Sequence, residues 1–466
     1  MMKAFYVVSG VAAFVGVRLA AVAAPDLPTL WAERVKCVVA IEYMTVTETE
    51  RRPTASMGTV VDAAGTIILP ASAVDPRAAL WQLKDFKVYL PGQGEGSAAE
   101  YLGQDAFTGW HFVRAGEDTR PKLTPVTAFA GEGAPRKPQI AEAVWGIGLR
   151  PKDEDFTPYI LQSRVALLQA VPQLMAIAQH EVAAPGLPVF DGAGTLVGLA
   201  GPSGGQTFLQ ISRSGRPTPT MLINVEESSA FLVAGEVLPH LGRIPASPSG
   251  RPLAWLGTYG LEPMDREVAK FLNLQSQSGA VVSEVLEGSP AEAAGLKPRD
   301  IILALNGAAL PQLRPDRAVV GYIEREVERR APGDKVALTV LRGTERVEVG
   351  VTLGDQPKLP REAERKYFDR LGFTAREPVY GDAIERRLRP GNLAGVVAHF
   401  VKNASPGAAA GLRQDDWIRE IDGTEVRDFA DATARLAAIE GDQERAEFVL
   451  LVARGNETAV LRVKLK

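Results

Sequence analysis

Four histidines, one cysteine and a few serines are the residues of this chain able to support nucleophilic or metal chemistry. The histidines are His111, His180, His240 and His399. A serine nucleophile needs an imidazole base, itself oriented by a carboxylate. Any hydrolase of that kind must therefore recruit one of these four. Ser163 and Ser203 have no base at readable spacing, and Glu181 is the one carboxylate beside a histidine, His180. His111 and His180 together make a thin set for a metal. A rebuilt catalytic or metal site using that pair stays open as an alternative. Cys37 is alone, which excludes an intrachain disulfide and a cysteine-built zinc site. The run Gly201-Pro202-Ser203-Gly204-Gly205 lacks a following Lys-Ser/Thr, so it reads as a turn and not a phosphate loop. The sequence calls for no metal and no cofactor.

The elements that must position these groups follow from composition and punctuation. The 466 residues suggest about three domains. With 46% hydrophobic and 23% charged residues the chain reads as globular, and a net charge of -4 offers no basic field for nucleic acid. Residues 1–23 read as a signal peptide: Lys3 gives a positive start, Ala4 to Val17 is apolar, and Ala21-Val22-Ala23 is a cleavage pattern. An uncleaved anchor or a buried N-terminal helix is the alternative. Export to the periplasm or cell envelope is the expectation, with no stable membrane span after removal of that segment. Linkers are expected at 244–252 and 355–361, where Pro and Gly recur without period. They leave blocks of 24–243, 253–354 and 362–466.

The last two blocks repeat one another. Ser289-Pro290-Ala291-Glu292-Ala293-Ala294-Gly295-Leu296 and Asp300-Ile301-Ile302 recur as Ser405-Pro406-Gly407-Ala408-Ala409-Ala410-Gly411-Leu412 and Asp416-Trp417-Ile418. Ser caps a short helix, Pro fits its first position, and Gly ends it. Asn306-Gly307 and Asp422-Gly423 then supply tight turns. A helix is expected over Arg317 to Arg329 in one copy and Phe429 to Ala438 in the other, each followed by two strands ending near Arg342-Gly343 and Arg454-Gly455. This duplicated module resembles the PDZ domain in its circularly permuted bacterial form. The resemblance implies that Trp255, Leu256, Gly257 and Thr258, with Val320 and Ile323, form one peptide groove. It implies a second at Leu371, Gly372, Phe373 and Thr374, with Phe429 and Ala432. Backbone N–H groups of such a loop take a terminal carboxylate while the peptide extends the sheet edge. A purely structural docking role for both modules is the alternative.

The order of an export segment, a block of about 220 residues and two PDZ-like modules resembles the HtrA/Deg family of periplasmic serine proteases. Leu30 to Val35, Cys37 to Ile41, Gly58 to Ile68, Leu102 to Asp105 and Pro188 to Gly198 carry the resemblance in the first block. The implied fold is mainly β: a trypsin-like double β-barrel followed by two PDZ-like α+β domains. The family's histidine slot falls on Ser72 in Leu69-Pro70-Ala71-Ser72-Ala73-Val74, and its aspartate slot on Gly109. The nucleophile slot falls on Pro185 in Ala183-Ala184-Pro185-Gly186-Leu187-Pro188-Val189. The resemblance thus implies a degenerate protease, a scaffold binding extended or C-terminal peptide segments without hydrolysis. A serine-type endopeptidase of envelope quality control with a rebuilt site is the alternative. Active HtrA homologues and further copies of this chain are the other implied partners.

Overall fold

The computed structural model describes residues 26–466 except 77, 171–172, 202–205, 212–216, 223–225, 249, 251–252, 276, 387–392, 456 and 466; for 206–211 and 217–222 it describes the backbone. The expected export segment, Ser203 with its neighbouring glycines, and Ser249, Arg251 and Pro252 of the first expected linker lie outside the described residues.

A short helix, α1 (Leu27–Arg34), opens the chain; Asp26 accepts the Thr29 N–H as its cap. Six strands follow: β1 (Val38–Val46), β2 (Arg51–Val60), β3 (Thr66–Leu69), β4 (Leu83–Tyr89), β5 (Ser97–Gln104) and β6 (His111–Ala115). They close into a barrel of order β1-β2-β3-β6-β5-β4. The expected hairpin joins β2 and β3, with Thr59 opposite Ile68. Strands β7 (Ala143–Leu149), β8 (Pro158–Gln169), β9 (Met175–Ala178), β10 (Pro188–Asp191) and β11 (Leu196–Ala200) begin a second barrel. After a pair β12 (Gln206–Ile211) and β13 (Pro217–Leu222), β14 (Ala230–Val233) completes it in the order β10-β11-β14-β9-β8-β7. Closure leaves no sheet edge, and inward side chains fill each interior. The architecture is the expected double barrel. Helix α2 (Ala234–Val237) leads out of it.

The first PDZ-like unit contains β15 (Ala254–Trp255), β16 (Thr258–Pro263), α3 (Arg266–Phe271), β17 (Ala280–Val285), α4 (Pro290–Ala293), β18 (Ile301–Leu305) and β19 (Ala308–Ala309). It ends with α5 (Ala318–Glu328), β20 (Lys335–Arg342), β21 (Glu345–Thr352) and β22 (Gly354–Asp355). The second contains β23 (Arg365–Phe368), β24 (Phe373–Arg376), α6 (Tyr380–Glu385), β25 (Val396–Val401), α7 (Pro406–Ala409), β26 (Trp417–Ile421), β27 (Thr424–Glu425), α8 (Phe429–Gly441), β28 (Glu447–Arg454) and β29 (Glu457–Lys464). Arg342-Gly343 and Arg454-Gly455 sit at the turns between the last two long strands of each unit, not at the strands' end as their spacing suggested.

The repeat is physical as well as textual. Ser289 caps α4 and Ser405 caps α7, each Oγ accepting an N–H at 3.2 Å. Asp300, 1% exposed, accepts two bonds from Arg342, whose guanidinium also reaches the Gly295 carbonyl. Asp416, equally buried, takes the same bonds from Arg454, which reaches Gly411. Both aspartates also accept a backbone N–H, from Lys297 and Arg413. The Asp-x-Ile signature is therefore a buried ion pair that ties the helix turn to the last hairpin.

The units touch the barrels. Phe107 of the first barrel lies under two guanidinium groups, Arg243 at 4.8 Å and Arg325 of α5 at 4.6 Å. Gln104 at the end of β5 contacts Arg361, and a Cβ on Gly250 would meet its carbonyl. Both segments expected as linkers thus run over one patch of the first barrel. Among the described residues no helix is long and apolar enough to cross a membrane.

Candidate functional site

The three slots implied by the family resemblance come together in the structure. Ser72 is exposed on a 3-10 turn, Ala71–Ala73, directly after β3, and Tyr43 Oη holds that turn through the Ala73 carbonyl at 2.8 Å. A Cβ placed on Gly109 would lie 3.1 Å from the Ala71 Cβ. One placed on Gly186 would lie 2.6 Å from Cδ of Pro70. Ser72, Gly109 and Pro185 therefore flank one Pro70-Ala71 corner. Thr59 Oγ1 donates to the Gly186 carbonyl at 2.7 Å and ties the loop around Pro185 to the first barrel.

The chemistry available at that corner is small. Pro185 has neither hydroxyl nor N–H. The flanking amides are spent inside the protein: Ala184 N–H donates to Ile147 O, Gly186 N–H to Ala200 O and Leu187 N–H to Ala184 O. Ala183 N–H faces the Ser228 carbonyl at 3.5 Å. An oxyanion needs donors aimed into the cleft, and these are aimed away from it. Asp105, fully buried, is a positioning group: its Oδ2 accepts from Thr108 N, Thr108 Oγ1 and Arg243 Nε.

The histidines do not gather into a site. His111 is 2% exposed, its Nδ1 lies 2.9 Å from Tyr101 Oη, and its Nε2 is buried without a hydrogen-bond partner. Burial pushes its pKa down to about 4, far from the range of a neutral-pH base. His180 is exposed; its backbone N–H, not its ring, bonds Ser163 Oγ at 3.0 Å. His240 stacks edge-on against Phe107, and His399 Nε2 lies 2.8 Å from Arg365. No group of three or more His, Cys, Asp or Glu residues that could hold a metal occurs among the described residues. Cys37 is fully buried, and burial raises its thiol pKa.

The first PDZ-like unit has an open groove. Among the described residues strand β16 ends its sheet and pairs with β17 alone, and Tyr259 on it is 59% exposed. A space of about 180 Å³ lies between Leu256-Gly257-Thr258 and α5, lined by Trp255, Leu261, Ile323 and Val327 among others. Gly257 has φ +87°, and a Cβ there would fall 2.1 Å from that of Ser289, so glycine is required. Ile323 lines this space and is itself fully buried in the core of the unit, against which Val320 is partly buried. The resemblance did not indicate Glu324 and Glu328, which line the same space; burial raises both carboxyl pKa values, and Glu324 raises that of Glu328 further.

The second unit is arranged differently. Leu371, Gly372, Phe373, Thr374 and Ala432 are buried, and Phe429 is partly buried against the core. Strand β23 lies along β24 with Phe368 opposite Phe373 and Arg365 opposite Arg376, so the edge that is free in the first unit is covered here. Thr374 Oγ1 donates to Glu48, in the β1–β2 turn of the first barrel, at 2.9 Å. The chain ahead of Leu371 carries two adjacent aromatics, Tyr367 and Phe368, as its only sequence signal for this strand.

Comparisons with known proteins match part of this layout. Residues 260–353 match the PDZ domain family model. The chain is 34% identical over 209 residues to the periplasmic pH-dependent serine endoprotease DegQ of Escherichia coli (strain K12), covering 45% of this chain and 41% of the relative. It is 26% identical over 204 residues to a probable periplasmic serine endoprotease, DegP-like, of Chlamydia pneumoniae, covering 44% and 39%. The matches thus span about two fifths of the length of these curated relatives. Solved structures of the HtrA-type protease AlgW share the fold: with a decapeptide, TM-score 0.51 at 16% identity over 71% of this chain and 99% of that one. With a tripeptide the values are 0.50, 18%, 72% and 99%. The chain carries a PDZ domain and is similar, in sequence over part of its length and in fold over most of it, to the HtrA-type serine endoproteases, whose named relatives are periplasmic.

Proposed function

We propose that the protein is an exported HtrA-like pseudoprotease that binds extended or C-terminal peptide segments through PDZ-type grooves and does not hydrolyse them. The open β16 edge beside α5, ending at the Leu256-Gly257-Thr258 loop, carries this reading. An incoming strand gains main-chain bonds along such an edge, and its carboxylate meets the loop N–H groups. AlgW, similar in fold, was solved with a decapeptide and with a tripeptide. Absence of hydrolysis is supported by Ser72, Gly109 and Pro185 standing at one corner with the neighbouring amides already bonded. Assembly with active homologues fits the same reading, since a binding module without a nucleophile can present segments to a partner that has one.

The test uses the purified full chain. Peptides ending in a free apolar carboxylate bind and their amidated counterparts lose at least tenfold in affinity, because the loop's donors face no anion. Casein stays intact and a fluorophosphonate leaves the protein unlabelled. Equal binding of both peptide forms would refute carboxylate capture; casein cleavage with labelling would refute the pseudoprotease reading.

A further inference from the structure

The two PDZ-like units have the same loop but opposite fates for the chain that enters it. Gly372 (φ +76°) would place a Cβ 2.1 Å from that of Ser405, as Gly257 does with Ser289. Gly407 N–H donates to Leu371 O as Ala291 N–H does to Leu256 O, and Lys402 N–H donates to Gly372 O as Leu286 N–H does to Gly257 O. The loops are therefore superposable in role. In the first unit the entering strand β15 pairs with β22, and no described strand but β17 pairs with β16. In the second the entering strand β23 folds back along β24.

Its placement is that of a ligand. β23 runs antiparallel to β24 with its C-terminal residue at the loop, the direction an added C-terminal segment takes when it pairs antiparallel with that strand. The Gly372 N–H donates to the Phe368 carbonyl at 2.7 Å, so a loop donor that would meet a terminal carboxylate meets a main-chain oxygen instead. Phe368 is fully buried, in one cluster with Ala432 and Leu436 of α8, its ring 6.1 Å from that of Phe373. The joining loop is fixed to the helix: Arg370 bonds the Glu440 and Asp442 carbonyls at the C-terminal end of α8.

We propose that Arg365–Phe368 is an internal ligand of the second groove, and that this groove accepts an external peptide only when the strand is withdrawn. The external ligand has the chemistry of the segment it replaces, an extended peptide with a C-terminal aromatic residue and basic residues before it. The inference rests on the peptide-binding reading above. It makes the first groove the constitutive site and the second a conditional one.

The probe is the peptide Arg-Lys-Tyr-Phe with a free carboxylate and a photo-crosslinking group at its N-terminus, used on the full chain with crosslinks mapped by mass spectrometry. Wild type crosslinks in the first unit. Phe368→Ala, which empties the anchoring position, adds crosslinks at residues 373–376 and 429–436 and lowers the concentration for half-maximal labelling there at least tenfold. Phe368→Leu, which refills the position, returns to the wild-type pattern. Because Phe368→Ala can unfold the unit, wild type is also followed by hydrogen exchange at saturating peptide, where residues 365–368 exchange faster and 373–376 stay protected. Crosslinks confined to the first unit in a folded Phe368→Ala variant, or unchanged exchange at 365–368, overturn this inference alone. Wild type labelled in the second unit as readily as the variant overturns it too. No crosslink in either unit of any variant overturns the peptide-binding reading itself.

Discussion

At the scale of single residues, Pro185 and His111 are the decisive positions. Pro185→Ser supplies a hydroxyl without a base, since Ser72 stands where the family resemblance puts the histidine. We expect no casein cleavage and no fluorophosphonate labelling from this variant, and labelling would mean that another base reaches the corner. His111 gives a pH dependence. Its folded pKa is about 4 against about 6.5 for a free imidazole. The unfolded chain therefore binds the proton more readily, and stability falls as pH drops from about 6.5 to about 4. The depression corresponds to at most about 3 kcal/mol. The polar groups lining the same space as the ring are Tyr101, Gln104 and Arg361, with the carboxylates Asp75 and Glu362. Urea midpoints measured from pH 7 to pH 4.5 should fall, and His111→Gln should flatten the fall. His240 and His399, also depressed by burial, contribute in the same direction.

At the scale of elements, the repeated ion pair and the first groove make separate predictions. Asp300→Ala leaves Arg342 facing an empty pocket, and Asp416→Ala does the same to Arg454. Removing one partner of a buried pair costs about 3–5 kcal/mol. Here the arginines are about one-third exposed, so solvent screening should bring the loss to about 2 kcal/mol. Denaturant unfolding should show it in the unit that carries the change, and a loss below 0.5 kcal/mol would reduce these pairs to surface decoration. In the groove, Glu324 and Glu328 repel an acidic ligand and favour a basic one. Glu324→Gln with Glu328→Gln should strengthen binding of a peptide bearing Asp or Glu a few-fold and weaken that of one bearing Lys, each change being about 0.2–1 kcal/mol. Titration calorimetry with the two peptides reads both signs.

At the scale of the whole molecule, Phe107 joins the first barrel to the residue just ahead of the expected linker and to the first PDZ-like unit by lying under Arg243 and Arg325. Phe107→Ala removes both stacking contacts, each about 0.5–2 kcal/mol. We expect the linker around Ile244 to become cleavable by trace protease while each barrel and unit stays folded. Unchanged cleavage kinetics would show that other contacts hold the units in place. Thr374 on Glu48 and Arg361 on Gln104 are the next points of attachment, so the protein is held along one side of its first barrel.

The sequence by itself determined the local punctuation. Ser-Pro starts, Gly stops and Asn-Gly or Asp-Gly turns act through neighbouring backbone atoms, so the duplicated helix turns and hairpins were legible from residue type alone. The identities at 72, 109 and 185 were equally fixed, because a proline lacks a hydroxyl in any fold. The tertiary structure decided what depends on distant partners. It brought Ser72, Gly109 and the Pro185 loop to one corner and turned the amides of that loop toward Ile147, Ala200 and Ser228. It also decided the fate of two similar loops. Leu256-Gly257 and Leu371-Gly372 read alike, yet one entering strand pairs with a distant β22 and the other folds back onto its own β24. Strand pairing is a competition among edges remote in sequence, and only the folded chain shows which edge wins.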